Sequence, residues 1–231
     1  MVRPTLGAQG AAAGEKVSTK HAAASWLTTQ DKSRAMALYA HNGRRAARSW
    51  GSRLDDFFQQ RQRRHVVAQA QFAAGQTVLD VGAGLGCMVR VAKAAGCHVT
   101  AVDATAALLD NLVALADRAF VADIEHFDDP QRFDVVLCIG VLDFVTDPAR
   151  ALEALAQRVR PAGRLIVLVP TRTLGGRLYR LEKLLRGVRV NLFDPAFCVE
   201  QAQTHGLTLQ QQSRPLPSNA LLTFCRPAAS T

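Results

Sequence analysis

The stretch VLDVGAGLG, residues 78–86, decides the fold of this chain. Its apolar residues predict a buried strand, and Gly82, Gly84 and Gly86 predict a tight turn from that strand into a helix. A glycine-rich turn at the end of a strand lets a nucleotide-like ligand approach the backbone of an α/β sheet. The stretch therefore predicts a ligand site at the carboxyl end of the first strand.

Four more apolar runs follow as predicted strands, over residues 98–103, 119–123, 133–140 and 163–170. Helices are predicted between them, over residues 85–95, over residues 105–116 and from Asp147 and Pro148 onward. Apolar strands that alternate with amphipathic helices indicate a parallel sheet covered on both faces. At the end of the chain two strands are joined by a short turn, which requires antiparallel pairing. The sequence thus predicts an α/β fold: a doubly wound, mostly parallel seven-stranded sheet with helices on both faces and a C-terminal antiparallel hairpin.

The domain organisation is predicted from composition and pattern. A chain of 231 residues with 48% hydrophobic content fits one domain with a sizeable core. Residues 1–30 lack an apolar period and are predicted to be a disordered N-terminal segment. Residues 31–75 have a helical pattern, with a predicted cap at Ser52, and would form an N-terminal helical cap. Residues 76–231 would form the ligand-binding domain, with a basic lid insert at about 171–193.

The spacing of the cysteines and the hydropathy of the chain indicate its cellular location. The five cysteines are scattered and form no CxxC pair, which favours a reduced, cytoplasmic protein with no structural metal site. The N-terminus lacks the apolar core of a secretory signal. No apolar run approaches the ~20 residues that a membrane span needs. We therefore expect a cytoplasmic location.

The spacing of the glycines and the acids around them favours one class of ligand. A dinucleotide fingerprint would need glycine where Cys87 stands, and Asp80 would repel a pyrophosphate. S-adenosylmethionine has an ammonium, a sulfonium and no phosphate, so an acid at that place suits it. Asp103, which ends the second predicted strand 21 residues after Gly82, is placed to accept ribose hydroxyls. Asp123 ends the third and could accept the adenine amino group.

Five segments of the chain, over about residues 76–226, resemble the class I S-adenosylmethionine-dependent methyltransferases. They are VLDVGAGLG, VTAVDAT, VADIEHF, FDVVLCIGVLDFVTDP and LAQRVRPAGRLIVLVP. The resemblance implies an S-adenosylmethionine-binding, Rossmann-like methyltransferase domain. It also implies that Gly82, Ala83 and Gly84 hold the methionine part and that Asp103 takes the ribose hydroxyls. The remaining implied contacts are those of Ala104, Leu108 and Ile124 with adenine, Asp123 with its amino group, and Ile139 and Gly140 beside the sulfonium. With Asp80, these are the candidate cofactor-binding residues.

No catalytic residue is assigned. Where many small-molecule members of the family have Glu-His after the fourth strand, this chain has Asp143 and Phe144, so a histidine base is not available there. Asp143 is either a site residue or a cap on the turn before Asp147.

The charge is unevenly divided along the chain. Residues 1–75 carry a net charge of +8, residues 76–159 carry −6 and residues 160–195 carry +6. This division favours a cationic cofactor at the acidic core and an anionic or membrane-associated small molecule as the methyl acceptor. The basic segment 172–189 is either an ordinary surface helix, packed on the core by Leu174, Leu178, Leu181 and Leu185, or a lid. In the second case its cations (Arg177, Arg180, Lys183 and Arg186) would attract an anionic acceptor or an anionic membrane.

Other functions remain open. An RNA or protein methyltransferase and a non-catalytic, cofactor-binding partner subunit are the alternatives. Nucleic acid is the less favoured substrate, although the pI is near 10.0. The chain lacks the N/D-P-P-Y/F tetrapeptide and the Pro-Cys pair of base methyltransferases, and only 6% of its residues are aromatic.

Overall fold

The computed structural model describes residues 26–46 and 53–228. The predicted cap at Ser52 and residues 1–25 of the predicted disordered segment lie outside these ranges. Trp26 packs against the core, with its ring stacked on Phe193 at 5.5 Å between centroids. Because this aromatic surface is covered, the folded part of the chain begins before the predicted boundary at residue 30.

Seven strands form one sheet in the order β3-β2-β1-β4-β5-β7-β6. They are β1 (Thr77–Val81), β2 (His98–Asp103), β3 (Arg118–Val121), β4 (Phe133–Ile139), β5 (Val159–Pro170), β6 (Thr208–Ser213) and β7 (Asn219–Cys225). Strands β1 to β5 are parallel, whereas β7 runs antiparallel to both β5 and β6. The predicted mostly parallel sheet with its antiparallel hairpin is confirmed.

Seven α-helices are described: α1 (Thr29–Ala46), α2 (Arg53–Ala70), α3 (Cys87–Ala94), α4 (Leu109–Val113), α5 (Pro148–Gln157), α6 (Leu174–Leu185) and α7 (Pro195–Thr204). Asp147 caps α5 by accepting a hydrogen bond from the backbone N–H of Arg150, with Pro148 in the first turn, as predicted. None of the helices in the described part of the chain is both long and apolar enough to cross a bilayer.

Several predicted elements have other bounds in the structure, and β5, expected over residues 163–170, already begins at Val159. The helix expected over residues 105–116 is a 3₁₀ turn, Ala106–Leu108, followed by the short α4. The third strand ends at Val121, so Asp123 lies in the turn that follows it. There the Asp123 carboxylate accepts a hydrogen bond from the backbone N–H of Glu125. β3 ends earlier because Val121 already pairs with Asp103, the last residue of β2, its only neighbour in the sheet.

The core lies on both faces of the sheet because successive residues of β1 point to opposite sides. Val78 packs in a cluster with Val89 of α3 on one face. Leu79 packs in another with Leu152 of α5 on the opposite face. A smaller third cluster joins α1, α6 and the segments after β4 and α6, and consists of Ala35, Leu38, Phe144, Tyr179, Val188 and Val190. This third cluster holds α1 and α6 next to the carboxyl ends of the strands.

Candidate functional site

A cavity of about 230 Å³ lies at the carboxyl ends of β1 to β4. Eight of the eleven predicted site residues line it: Gly82, Gly84, Asp103, Ala104, Leu108, Asp123, Ile124 and Gly140. The carboxyl ends of neighbouring parallel strands meet at one sheet edge, which is why residues so far apart in sequence converge here. Asp80, Ala83 and Ile139 do not line the cavity.

The glycine turn after β1 is held close to the neighbouring strands. The backbone N–H groups of Gly82 and Ala83 both donate to the carbonyl of Val102, at 2.7 and 3.1 Å. Gly82 has a φ of +67°, and a Cβ added there would lie 2.2 Å from Cγ2 of Val141. A side chain is therefore excluded at this position, and the turn presents backbone to the cavity.

Asp103 is fixed in orientation by two backbone donors. Its Oδ1 accepts from the N–H of Thr105 and its Oδ2 from the N–H of Gly84, both at 2.8 Å. A carboxylate oxygen can accept more than one hydrogen bond, so each oxygen retains accepting capacity. Asp103 lines the cavity and can thus accept hydroxyl groups from a ligand while it holds the glycine turn.

Asp80 lies beneath the glycine turn and is 3% exposed. Its Oδ2 has no hydrogen-bond partner. Burial, and then the charge of Asp103, raise the pKa of Asp80 to about 7. A buried carboxylate without a partner is costly unless a positive charge compensates it, so this end of the site suits a cationic group and disfavours a phosphate.

Asp123 has a partner that the sequence did not reveal. The ammonium group of Lys32, on α1, forms ion pairs with Asp123 and with the buried Glu125. Burial alone would raise the pKa of Glu125, but hydrogen bonds from Lys32 and Thr146 outweigh it, so the pKa is lowered. Oε1 of Glu125 also accepts from the Thr146 hydroxyl and from the N–H of Asp147, both at 2.6 Å. Glu125 therefore joins α1 to the loop between β4 and α5.

Helix α1 supplies one wall of the cavity. Lys32, Ala35, Met36 and Tyr39 line it and recur at i, i+3, i+4 and i+7, so they lie on a single helical face. This spacing was readable in the sequence as a helix face. No residue near α1 in the sequence indicated that this face would contact Glu125, which lies 93 positions further along the chain.

The sequence left Asp143 as either a site residue or a cap on the turn before Asp147, and it takes neither role. It is 1% exposed, does not line the cavity and does not cap the turn in which it lies. Its Oδ2 accepts a hydrogen bond of 2.8 Å from the hydroxyl of Tyr179 on α6, while its Oδ1 has no partner. Burial raises the pKa of Asp143 to about 6, although the Tyr179 hydrogen bond lowers it. The residue anchors α6, and its neighbour Phe144 lines the cavity.

The donor set points to an organic ligand. Within residues 26–46 and 53–228, no three His, Cys, Asp or Glu side chains converge closely enough to hold a metal ion. The cavity combines the backbone of the glycine turn and the carboxylates of Asp103 and Asp123, which follow β2 and β3, with apolar walls from α1 and the β4 loop. A doubly wound sheet with this site and an antiparallel terminal pair defines the class I S-adenosylmethionine-dependent methyltransferases.

The chain belongs to the methyltransferase domain family, whose model matches residues 39–212. The resemblance noted in the sequence is thereby confirmed at the level of family and fold. The match includes the end of α1 and most of β6, so it covers most of the cavity lining, without Lys32, Ala35 and Met36, and most of the sheet.

Two curated relatives are similar to parts of the chain. The ubiquinone biosynthesis O-methyltransferase of Aeromonas salmonicida is 34% identical over 101 residues, which cover 40% of this chain and 42% of that protein. The mitochondrial ubiquinone biosynthesis O-methyltransferase of Schizosaccharomyces pombe is 34% identical over 129 residues, covering 51% of this chain and 47% of that protein. The chain thus spans about half the length of the curated relatives it matches.

One solved structure superposes on this chain over nearly the whole of that structure's length. The magnesium protoporphyrin IX methyltransferase of Synechocystis, with bound S-adenosylmethionine, superposes with a TM-score of 0.68. The match covers 87% of this chain and 99% of that one at 15% identity. At this identity the comparison shows the shared fold.

Proposed function

We propose that this chain is an S-adenosylmethionine-dependent methyltransferase that acts on an anionic or membrane-associated small molecule. The observation that carries the proposal is the arrangement of Asp103, which holds the glycine turn through Gly84 and faces the cavity. The family supports the transferase chemistry. The curated relatives, named ubiquinone biosynthesis O-methyltransferases, support a small-molecule acceptor.

The residues present fit this cofactor. The unpartnered, buried carboxylate oxygen of Asp80 suits a ligand with cationic groups. The exclusion of a Cβ at Gly82 leaves the turn backbone open for a ligand. In this proposal Asp103 accepts the ribose hydroxyls, Ala104, Leu108 and Ile124 pack against adenine, and Gly140 lies beside the methyl donor. When bound, S-adenosylmethionine supplies a methyl group on a positively charged sulfur.

The protein's contribution to the reaction is positioning and exclusion of water. Helix α1 and Phe144 close the side of the cavity away from the sheet with apolar surface from Met36 and Tyr39. Holding an acceptor oxygen or nitrogen in line with the methyl group at about 3–3.5 Å removes much of the entropic barrier. A phenol or carboxylate acceptor ionises readily, so the chain needs no strong base of its own for such a substrate.

The apolar cavity walls support an apolar body for the acceptor, and the cations of residues 160–195 support a negative charge or an anionic membrane surface around it. The five cysteines are unpaired, which supports the proposed cytoplasmic location.

The proposal is tested with methyl-labelled S-adenosylmethionine and four separate cell fractions: lipid extract, water-soluble metabolites, RNA and protein. We expect label in the lipid extract or the metabolites, and none with the Asp103→Ala variant. Label in RNA or protein would instead support a macromolecular methyltransferase. If the cofactor binds but no fraction is labelled, the chain is a non-catalytic partner subunit.

A further inference from the structure

Helix α6 presents its leucines to solvent, the reverse of an ordinary surface helix. Leu174, Leu178, Leu181, Leu184 and Leu185 are between 50% and 81% exposed. Most of the large exposed apolar side chains in the described part of the chain are on this one helix. The alternative that these leucines pack α6 onto the core is therefore wrong.

The opposite face of α6 packs against the rest of the protein. A Cβ added at Gly176 would lie 1.7 Å from the carbonyl oxygen of Thr171, so the helix backbone lies directly against that segment. A Cβ added at Gly175 would lie 2.9 Å from the carbonyl group of Pro217, in the turn between β6 and β7. Tyr179 adds its hydrogen bond to Asp143. Two glycines and a tyrosine thus fix the helix and leave the leucine face outward.

Positive charges flank the exposed leucines. Arg177 and Arg180 are exposed and have no ion-pair partner among the residues that the structure describes. Arg186 pairs with Glu182. Lys183, predicted to lie on the same basic flank, faces inward, with its ammonium group 5.2 Å from the centre of the Tyr179 ring. The outward face therefore combines an apolar strip with two uncompensated arginines.

We propose that the outward face of α6 (Leu174, Leu178, Leu181, Leu184 and Leu185 with Arg177 and Arg180) docks on an anionic lipid bilayer. Exposed apolar surface of this extent on one helix is typical of a surface that is covered in use. The arginines complement anionic headgroups, and the leucines insert at the boundary between headgroups and acyl chains. Charge complementarity selects an anionic bilayer over a neutral one.

The helix that carries this docking surface also packs against residues that line the cavity. Tyr179 of α6 packs in one cluster with Ala35 of α1 and Phe144, and the latter two line the cavity. A bilayer on the outward face would lie beside the cavity, where a membrane-dissolved acceptor can reach it. This role rests on the proposed function: the outward face of α6 would bring the protein to its membrane-dissolved acceptor.

The experiment measures co-sedimentation of the full chain with vesicles, without cofactor or acceptor. One set is phosphatidylcholine and the other contains about one third phosphatidylglycerol, each at about 50 and 500 mM salt. We expect binding to the anionic vesicles at low salt and at least tenfold weaker binding for Leu178→Gln/Leu181→Gln/Leu185→Gln. Arg177→Gln/Arg180→Gln should lose about tenfold on anionic vesicles at low salt and show a flatter salt dependence.

Matched controls lie on other surfaces. Val113→Gln changes an apolar side chain that is 61% exposed. Arg64→Gln/Arg132→Gln removes two exposed arginines elsewhere. Both should bind vesicles within about twofold of the wild type. Affinity for S-adenosylhomocysteine, measured by calorimetry, should be unchanged in every variant, which shows that each is folded.

Three outcomes overturn the proposal: no vesicle binding by the wild type, equal binding by the leucine variant, or a wild-type dimer that the leucine variant converts to monomer. The last would make the face an interface between copies. Because vesicle binding needs neither cofactor nor turnover, these results are independent of whether the chain is a methyltransferase.

Discussion

The backbone N–H of Gly84 donates to Oδ2 of Asp103 at 2.8 Å and so joins the turn after β1 to the end of β2. The hydrogen bond couples two parts of the predicted cofactor site. It orients the carboxylate toward the cavity and holds the turn in the conformation that its glycines allow. Changes at Asp103 should therefore affect both the contact to a ligand and the shape of the turn.

Asp103→Ala should lower the affinity for S-adenosylhomocysteine by at least tenfold. The substitution removes an acceptor for ribose hydroxyls and leaves the N–H groups of Gly84 and Thr105 without a partner. Hydrogen bonds to a charged group contribute about 1.5–3 kcal/mol each. Calorimetric titration measures the effect, and Asp110→Ala, at an exposed acid of α4, is the control and should bind normally. Equal affinity in both variants would show that Asp103 does not contribute to cofactor binding.

Gly82→Ala should destabilise the fold by about 1–3 kcal/mol more than Gly140→Ala does. Both glycines have positive φ values, +67° and +68°, so both variants have backbone strain. Only at Gly82 does the added Cβ meet Val141, whereas nothing lies within 4 Å of a Cβ at Gly140. Urea unfolding measures the difference. The double variant Gly82→Ala/Val141→Ala should recover part of the loss, and no recovery would show that the contact with Val141 is not the cause.

Lys32→Met should loosen α1 from the cavity. The variant keeps most of the apolar stem but leaves Glu125, which is 4% exposed, without its ammonium partner. Removing one member of a buried ion pair costs about 3–5 kcal/mol when the remaining charge stays buried. We expect reduced stability in urea and faster dissociation of S-adenosylhomocysteine in stopped-flow measurements.

The matched control for Lys32 is Arg34→Met, which removes a cation from the exposed side of the same helix. It should leave both the stability and the dissociation rate nearly unchanged. If Lys32→Met behaves like this control, the ion pairs with Asp123 and Glu125 do not hold α1 in place.

Asp143 should make the stability of the protein depend on pH. Its pKa is raised from 3.8 to about 6, so the folded protein holds this proton more tightly than the unfolded chain does. The contribution to the free energy of unfolding is therefore largest below about pH 4 and is lost as the pH rises to about 6. Over this window the shift corresponds to about 3 kcal/mol.

Asp143→Asn removes this titration, so its stability relative to the wild type should rise between pH 4 and 7 in urea unfolding experiments. Tyr179→Phe removes a hydrogen bond that favours the ionised carboxyl, so it should shift the wild-type transition to higher pH. A constant difference between Asp143→Asn and the wild type across this range would show that the carboxyl titrates normally.

The sequence by itself determined the sheet and much of the site. β2 has the predicted bounds, and Asp147 with Pro148 begins α5 as expected. These features depend on interactions between near neighbours in the chain, such as strand alternation, turn glycines and helix caps. Asp103 and Asp123 were predicted to end the second and third strands, and parallel strands bring their carboxyl ends to one edge.

Only the tertiary structure decided which face of each helix packs against the protein and which face is exposed. The leucine spacing of α6 predicted an apolar face but not which surface it would meet. Contacts of Gly175 with Pro217 and of Tyr179 with Asp143 hold the other side against the protein, so the leucines point outward. Lys32 likewise reaches Glu125 across 93 positions of the sequence. Helical periodicity is local, whereas the choice of a packing partner depends on contacts between distant segments, which no single stretch of sequence contains.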